Sequence, residues 1–156
     1  MASVAETVVQ RRVEIDASPA TVWEFLVDPE KATRWMGQKA WFDARPGGEY
    51  RVDVIPGNTA SGEFVEVDPP RRLVFTWGWE PGPKGANPVP PGSSTVEIEL
   101  ESDGEGTILH FVHRDLPTAE AAASHGHGWD HYLERLQAVS VGRDPGVDPW
   151  LSGEMN

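Results

Sequence analysis

The chain has 156 residues, of which 13 are basic and 25 are acidic, and its net charge is −12. Charge of that sign repels phosphate backbones and anionic lipid, so neither nucleic acid nor a membrane surface is an expected partner. The sequence has no cysteine, which excludes disulfides, thiol nucleophiles and thiolate metal sites. The N-terminal residues lack a basic region followed by an apolar run, and we therefore expect a cytoplasmic protein.

The chain begins with a predicted strand and two short helices. Alternation of apolar and polar residues indicates the strand over residues 7–15. Ser18 as N-cap and Pro19 at the first helical position predict a helix that Asp28-Pro29 ends. A second short helix is predicted from Glu30 to about Trp35.

The middle of the chain alternates with a period of two, which is typical of strands with one buried face. Tyr50, Val52 and Val54, for example, share a face opposite charged residues. The predicted strands cover residues 48–54, 61–67, 73–79, 95–101 and 107–113. Their one-sided polarity predicts an antiparallel sheet with one wet face and one covered face.

A long amphipathic helix is predicted over residues 118–141. Its apolar positions follow the 3.6-residue period of a helix and are Trp129, Tyr132, Leu133, Leu136 and Val139. Gly126 and Gly128 interrupt the segment, and each disfavours a helix by about 1 kcal/mol relative to alanine. Either the helix begins near Gly128, or the glycines mark a bend that lets the segment move over the mouth of a cavity.

This order of elements predicts a single α+β domain over residues 7–141, followed by an irregular tail over residues 142–156. The segment 80–94 holds five prolines and three glycines, and we interpret it as a loop. It is either a solvent-exposed connection or a lid over a binding site.

Several local strings occur in a fixed order between residues 8 and 141. They are Val22-Trp23, Asp28-Pro29, Arg34-Trp35, Pro46-Gly47-Gly48, the stretch from Gly62 to Trp77, the stretch from Val89 to Val96, Gly106-Thr107 and Gly128-Trp129. Together they resemble the family named after the activator of the heat-shock-protein-90 ATPase. That family belongs to the START-like (SRPBCC) superfamily of birch-pollen-allergen and polyketide-cyclase folds.

The resemblance implies a helix-grip fold, in which a curved antiparallel sheet of about six strands wraps around the long C-terminal helix. It also implies a cavity between the sheet and that helix, opening near the two short helices. Members of the superfamily serve as ligand carriers, cyclases, hydrolase-like enzymes or chaperone regulators, so the fold does not determine the chemistry.

Aromatic residues are the main candidates for a ligand site in that cavity, because such sites are concave and mostly apolar with a few polar anchors. His113 is the candidate anchor, since alternation places it on the covered face beside Leu109 and Phe111. The alternative for each residue is plain core packing. The candidate ligand-binding residues are Trp35, Trp41, Tyr50, Phe75, Trp77, Trp79, Phe111, His113 and Trp129.

Three histidines of the last helix are candidate metal ligands. His127 and His131 have the i, i+4 spacing of helical zinc sites, and His125 lies nearby. No carboxylate completes a known motif, so we expect solvated histidines, no metal and no cofactor. His113 is either a ligand anchor, an acid–base group, or a core histidine bonded to the backbone.

Three functions stay open at this point. The first is binding of a small hydrophobic or aromatic molecule in the cavity. The second is a protein-interaction module, for example one that regulates a chaperone, which predicts a filled core and an exposed apolar patch. The third is a cyclase- or hydrolase-like enzyme, for which the only candidate pair is His113 with Glu66 or Tyr50. Glu66 lies on a strand whose inward face is ambiguous because Phe64 and Val65 are both apolar. A homodimer is also left open.

Overall fold

The computed structural model describes residues 7–82, 85 and 87–152. In chain order its elements are β1 Val9–Ile15, α1 Pro19–Val27, α2 Pro29–Ala32, β2 Lys39–Phe42, β3 Glu49–Ile55, β4 Asn58–Asp68, β5 Arg72–Trp77, β6 Ser94–Asp103, β7 Gly106–Arg114, α3 Ala119–Ser140 and a final 3-10 turn Pro149–Ser152. The order confirms the predicted α+β class. The tail after α3 therefore contains one short helical turn.

The strands form one antiparallel sheet in the order β1-β7-β6-β5-β4-β3-β2. The described residues thus contain seven strands, against the six or so that we predicted. The additional strand is β2, which has four residues and pairs with β3 at the edge of the sheet. Its residues Lys39-Ala40-Trp41-Phe42 are exposed or half-buried, so no clear alternation marks them in the sequence.

The ambiguity in β4 has a structural cause. Phe64 pairs with Phe75 and Glu66 pairs with Val74, and the register shifts between these two pairs. Such a β-bulge adds one residue to the strand and redirects the side chains that follow. Phe64 is therefore buried, whereas Val65 is 52% exposed and Glu66 lies on the outer face in an ion pair with Arg72.

The two short helices share one residue, Asp28, at their junction. The Asp28 backbone N–H donates to Glu24 O (3.0 Å) and ends α1, and its side chain accepts from Glu30 N (3.0 Å) and begins α2. Helix α2 ends at Ala32, so the predicted extension to Trp35 was wrong. Trp35 is buried just beyond the helix, where its indole N–H donates to Phe25 O at 2.8 Å.

Helix α3 is continuous through both glycines, so the interpretation that the helix begins near Gly128 was wrong. Thr118 caps it by accepting a hydrogen bond from Ala121 N at 3.0 Å. Gly126 lies where α3 crosses β1, and a Cβ there would meet the guanidinium of Arg11 at 2.9 Å. A Cβ at Gly128 would meet nothing within 4 Å. The two glycines therefore have different surroundings within one helix.

The core lies between the covered face of the sheet and the predicted apolar face of α3. Trp129, Tyr132, Leu133, Leu136 and Val139 are each 8% exposed or less. This confirms the helix-grip arrangement that the resemblance implied. Across the part of the chain that the structure describes, no helix combines the length and apolar character needed to span a membrane.

Candidate functional site

A pocket of about 440 Å³ lies under the first half of α3. Four indole rings form much of its wall, from Trp77, Trp79, Trp129 and Trp150. Met36, Val54 and Val89 add aliphatic surface. Thr118, Glu120, Ser124 and His125 add polar groups from α3, and Asn58 and Asn87 add amides from the opposite side.

The end of β5 and the segment after it build one wall. Trp77 is the last residue of β5, and the backbone N–H of Trp79 donates to Val89 O at 2.7 Å. Between them, Gly78 lies so close to Pro90 that a Cβ would be 1.7 Å from the Pro90 carbonyl oxygen, which explains the glycine. Val89 is 1% exposed. The second half of the segment 80–94 is therefore packed against the sheet as a wall of the pocket.

His113 is fully buried and bonded at both ring nitrogens. The indole N–H of Trp129 donates to Nδ1 at 2.9 Å, so Nδ1 must be an acceptor. Nε2 must then carry the proton and donate to Ser94 Oγ at 2.8 Å, and Ser94 in turn donates to Trp77 O at 2.8 Å. Burial, with a contribution from neighbouring His125, lowers the pKa of His113 to about 3. The imidazole is therefore neutral at physiological pH.

His125 repeats this arrangement one turn before Trp129 on α3. The indole N–H of Trp79 donates to Nε2 of His125 at 3.0 Å. Nδ1 then carries the proton and donates to Ala121 O at 2.8 Å. Burial lowers the pKa of His125 as well. The rings of His113 and His125 meet edge to face with centroids 5.1 Å apart, so a neutral imidazole in the pocket wall packs against a second one behind it.

This geometry does not assemble the candidate catalytic pair. Both nitrogens of His113 are occupied, so neither is available to take a proton from a substrate. Glu66 lies on the opposite face of the sheet beside Arg72. Tyr50 is stacked on Phe75 with ring centroids 4.0 Å apart, and burial raises its pKa. His113 acts here as a core histidine whose partners are side chains.

Two polar groups of the pocket wall have no partner in the part of the chain that the structure describes. They are the indole Nε1 of Trp77 and the hydroxyl of Tyr132, both buried. Burial and the charge of Asp148 raise the pKa of Tyr132, so its hydroxyl is protonated. Both atoms are enclosed by other protein atoms, and because a buried polar group without a partner is destabilising, each lowers the stability of the fold.

The C-terminal turn closes another side of the pocket. The indole of Trp150 stacks on His131 with centroids 3.7 Å apart and contacts His127 at 5.4 Å. Asp148, 4% exposed, accepts from His131 Nε2 at 2.8 Å and from the backbone N–H of Trp150 at 3.0 Å. The prediction of solvated histidines was therefore wrong for His125 and His131. Within the described residues, no group of His, Asp and Glu side chains could hold a metal ion.

The predicted ligand-binding residues separate into three sets. Trp77, Trp79 and Trp129 line the pocket, and His113 lies directly behind Trp129. Trp41 is on the outer face of the edge strand β2, between the cations of Lys39 (4.9 Å) and Arg51 (4.6 Å). The remaining four, which are buried in the core away from the pocket, are Trp35, Tyr50, Phe75 and Phe111.

Sequence reasoning missed Tyr132, His125 and Trp150 as wall residues. Tyr132 shares the apolar face of α3 with Trp129, and that periodicity was a usable signal. His125 lies one helical turn before Trp129 on the same side, which was a weaker signal. For Trp150, nothing local to the tail indicated its stacking partner.

A family model described as "Activator of Hsp90 ATPase homolog 1-like protein" matches residues 16–140. An AHSA1-like protein from Rhizobium etli is 48% identical, with a TM-score of 0.72 over 92% of this chain and 87% of that one. DynU16, a protein of the dynemicin biosynthetic locus, is 25% identical, with a TM-score of 0.73 over 88% of this chain and 49% of DynU16.

The Aha1 dimer from Colwellia psychrerythraea is 15% identical, with a TM-score of 0.72 over 90% of this chain and 98% of that one. At that identity the likeness concerns the fold alone. A search among curated proteins found no match.

Proposed function

The chain belongs to the family of activator of Hsp90 ATPase homolog 1-like proteins, and we propose that it binds a small, flat, mostly apolar molecule in the pocket beneath α3. The observation that carries the proposal is the wall of four indole rings around about 440 Å³ of space. Ligand pockets are typically concave spaces of about 300–1,000 Å³ with mainly apolar and aromatic walls. Both the volume and the wall fall within that description.

The rigidity of the wall supports the same proposal. Trp79 and Trp129 are each held by a hydrogen bond to an imidazole, and Trp150 is held by its stack on His131. Rings held in this way lose little freedom when a ligand arrives, which favours affinity. DynU16 adds support from its setting, because it comes from a biosynthetic locus, that of dynemicin.

The other two functions have weaker support. An enzyme needs at least two convergent polar groups that can exchange protons, and His113, Glu66 and Tyr50 lie apart or are already bonded. A chaperone regulator is expected to have an exposed apolar patch. The large apolar side chains exposed among the described residues are Val65 and Val147, which lie in different parts of the chain. Self-association and a cytoplasmic location stay predictions.

The test uses flat aromatic probes and two matched variants of α3. Fluorene, phenanthrene and 9-fluorenone are titrated while intrinsic tryptophan emission and the melting temperature are recorded. Gly128→Leu places a side chain in the open space of the pocket, whereas Ala123→Leu places the same side chain on the exposed face of α3. We expect the wild type and Ala123→Leu to bind at least one probe and Gly128→Leu to lose that binding.

Two results would count against the proposal. If no probe changes the tryptophan emission or the melting temperature of the wild-type protein, the proposed ligand-binding function is contradicted. Equal binding by Gly128→Leu and the wild type would show that the probe binds outside this pocket. Both variants introduce a good helix former, so a fold defect is not expected from propensity.

A further inference from the structure

The pocket has an apolar interior and a polar mouth. Several lining residues are each 2% exposed or less, and they are Met36, Val54, Trp77 and Val89. Glu120, Ser124 and His127 line the same pocket but are exposed, and we call these three residues the mouth. Their spacing of four and then three residues places them on one face of α3. A molecule in the pocket would therefore have one part between apolar walls and another part beside this face.

The electrostatic potential at the mouth is negative. The described lining residues include one carboxylate, Glu120, and no lysine or arginine. The Glu120 side chain has no hydrogen-bond or ion-pair partner among the described residues, so no cation there neutralises it. The first turn of α3 contributes about half a positive charge from its backbone, which the full charge of Glu120 exceeds. The net charge of −12 adds to the same sign.

The aromatic wall does not reverse this preference. His125 is neutral because its Nε2 accepts from Trp79, and burial lowers its pKa. The indole N–H groups of Trp79 and Trp129 are already donated to His125 and His113, so neither is available to an anion. The face of an indole ring attracts cations. The wall and the mouth therefore both favour a cation over an anion.

We propose that the pocket selects amphipathic ligands in which a flat apolar body carries a positively charged amine, and that the amine lies at the mouth near Glu120. This inference rests on the proposed function, because it names the ligand class of the same pocket. A charge acts over about 8 Å at physiological salt, so Glu120 does not need direct contact with the amine. Glu120 is thereby the residue that determines specificity for charge.

The test uses three probes that share the fluorene ring system and differ in the charge of one substituent. They are fluoren-2-ylmethylamine, fluoren-2-ylmethanol and fluorene-2-carboxylate. Calorimetry gives the Kd of each probe at pH 8, where histidine side chains in general carry little positive charge. We expect the wild type to bind the amine most tightly and the carboxylate most weakly.

Substitution of Glu120 should change the Kd ratio of the carboxylate to the amine. This ratio should fall about 5-fold in Glu120→Gln and about 30-fold in Glu120→Lys, because each change acts on the two probes with opposite sign. The solvation of the probes in water cancels when the ratio is compared between proteins. Glu120 is exposed, and the melting temperature of each variant without a probe verifies that it folds.

Two controls separate the mouth from the charge of the whole protein. Glu134 is exposed on the same helix, 14 residues and therefore about 21 Å farther along its axis. Glu134→Lys changes the net charge by the same amount as Glu120→Lys but should change the Kd ratio less than about 1.5-fold. Lys84, three residues before Asn87 in the sequence, lies outside the described residues, and Lys84→Gln should leave the order of the probes unchanged.

The outcomes separate the two proposals. If neither fluorene nor any of its three derivatives binds the wild type, the ligand-binding function and this inference are both overturned. If fluorene binds but the amine binds no more tightly than the carboxylate, the inference is overturned and the ligand-binding function stands. Equal changes of the Kd ratio in Glu120→Lys and Glu134→Lys would also overturn the inference, because the preference would then come from the net charge and not from the mouth.

Discussion

Two aromatic clusters on the covered side of the sheet are buried in different ways. The closed cluster consists of Phe42, Tyr50, Phe64 and Phe75. The pocket cluster consists of Trp77, Trp79, Trp129, His113 and His125. The closed cluster fills its space with rings stacked at 4.0 and 4.8 Å or set edge to face. The pocket cluster leaves space and is held together by indole–imidazole hydrogen bonds.

The chemistry of the rings explains the difference. A phenylalanine ring has no polar atom, so it can be buried against any apolar neighbour. An indole brings an N–H that needs an acceptor when it is buried. Imidazoles from β7 and α3 supply the acceptor for Trp129 and Trp79, and Trp77 is left without one. Aromatic composition alone therefore does not separate a core from a pocket.

The largest effect is expected from a cavity in the closed cluster. Phe64→Ala removes a ring that is 1% exposed and contacts both Tyr50 and Phe75. Truncations of this kind typically destabilise by about 3–5 kcal/mol, because packing is lost and a cavity remains. Urea denaturation measures the loss, and the affinity of the folded variant for a flat aromatic probe should stay within about threefold of wild type. A small loss of stability with a large loss of affinity would contradict this prediction, because it would mean that the closed cluster contributes to binding more than to the stability of the fold.

An intermediate effect is expected from the pocket cluster. His113→Leu leaves the indole N–H of Trp129 buried without an acceptor, which should destabilise by about 1–3 kcal/mol at pH 7. The control is the half-buried His110, which lies on the outer face of β7 and bonds the exposed Glu101, and His110→Leu should change stability by no more than about 0.5 kcal/mol. Equal effects of the two substitutions in urea denaturation would show that the buried hydrogen bonds of His113 do not stabilise the fold.

The same variant should change the dependence of stability on pH. The pKa of His113 is about 3 in the folded protein and near 6.5 in an unfolded chain. Its contribution is therefore fully present above about pH 6.5 and is lost as the pH falls towards 3, by about 1.4 kcal/mol per pH unit. His113→Leu lacks this term, so its stability difference from wild type should narrow between pH 7 and pH 5. A constant difference would mean that the folded imidazole takes up a proton in that range.

The smallest effect is expected from the two glycines of α3. Gly128→Ala should stabilise by up to about 1 kcal/mol, because alanine is the better helix former and its methyl group meets open space. Gly126→Ala should gain less, since the methyl group would displace the Arg11 guanidinium, which bonds Asp130 at 2.5 Å. Thermal denaturation of both variants measures the difference. Equal gains in stability would mean that the Arg11 side chain can move away from residue 126 at no cost in free energy.

Most of the fold could be predicted because strands with one covered face leave a period of two in the sequence. Strands β3, β6 and β7 were predicted to within two residues at each end for this reason. Strand β2 could not be predicted, since four half-exposed residues at an edge carry no period. The bulge after Phe64 was visible only as an ambiguity, because its position depends on the pairing with β5.

The candidate site could be predicted less well, because its parts come from distant segments. Alternation correctly placed His113 on the covered face, but its partners Ser94 and Trp129 lie on β6 and α3. Trp150 comes from the tail and meets His131 through a stack that no local pattern records. Phe75 and Trp77 are both aromatic residues on the same face of β5. The sequence therefore could not assign one to the closed cluster and the other to the pocket cluster.

The attachment of residues 87–91 to the sheet bears on how fast a ligand could come and go. Trp79 N–H bonds Val89 O, and Gly78 touches Pro90 too closely for any side chain between them. These residues cannot swing outward without breaking the end of the sheet. The residence time of a bound molecule would then depend on local opening of the first turns of α3. That opening requires the hydrogen bond between Trp79 and His125 to break. We therefore expect a slow off-rate for any molecule that binds there.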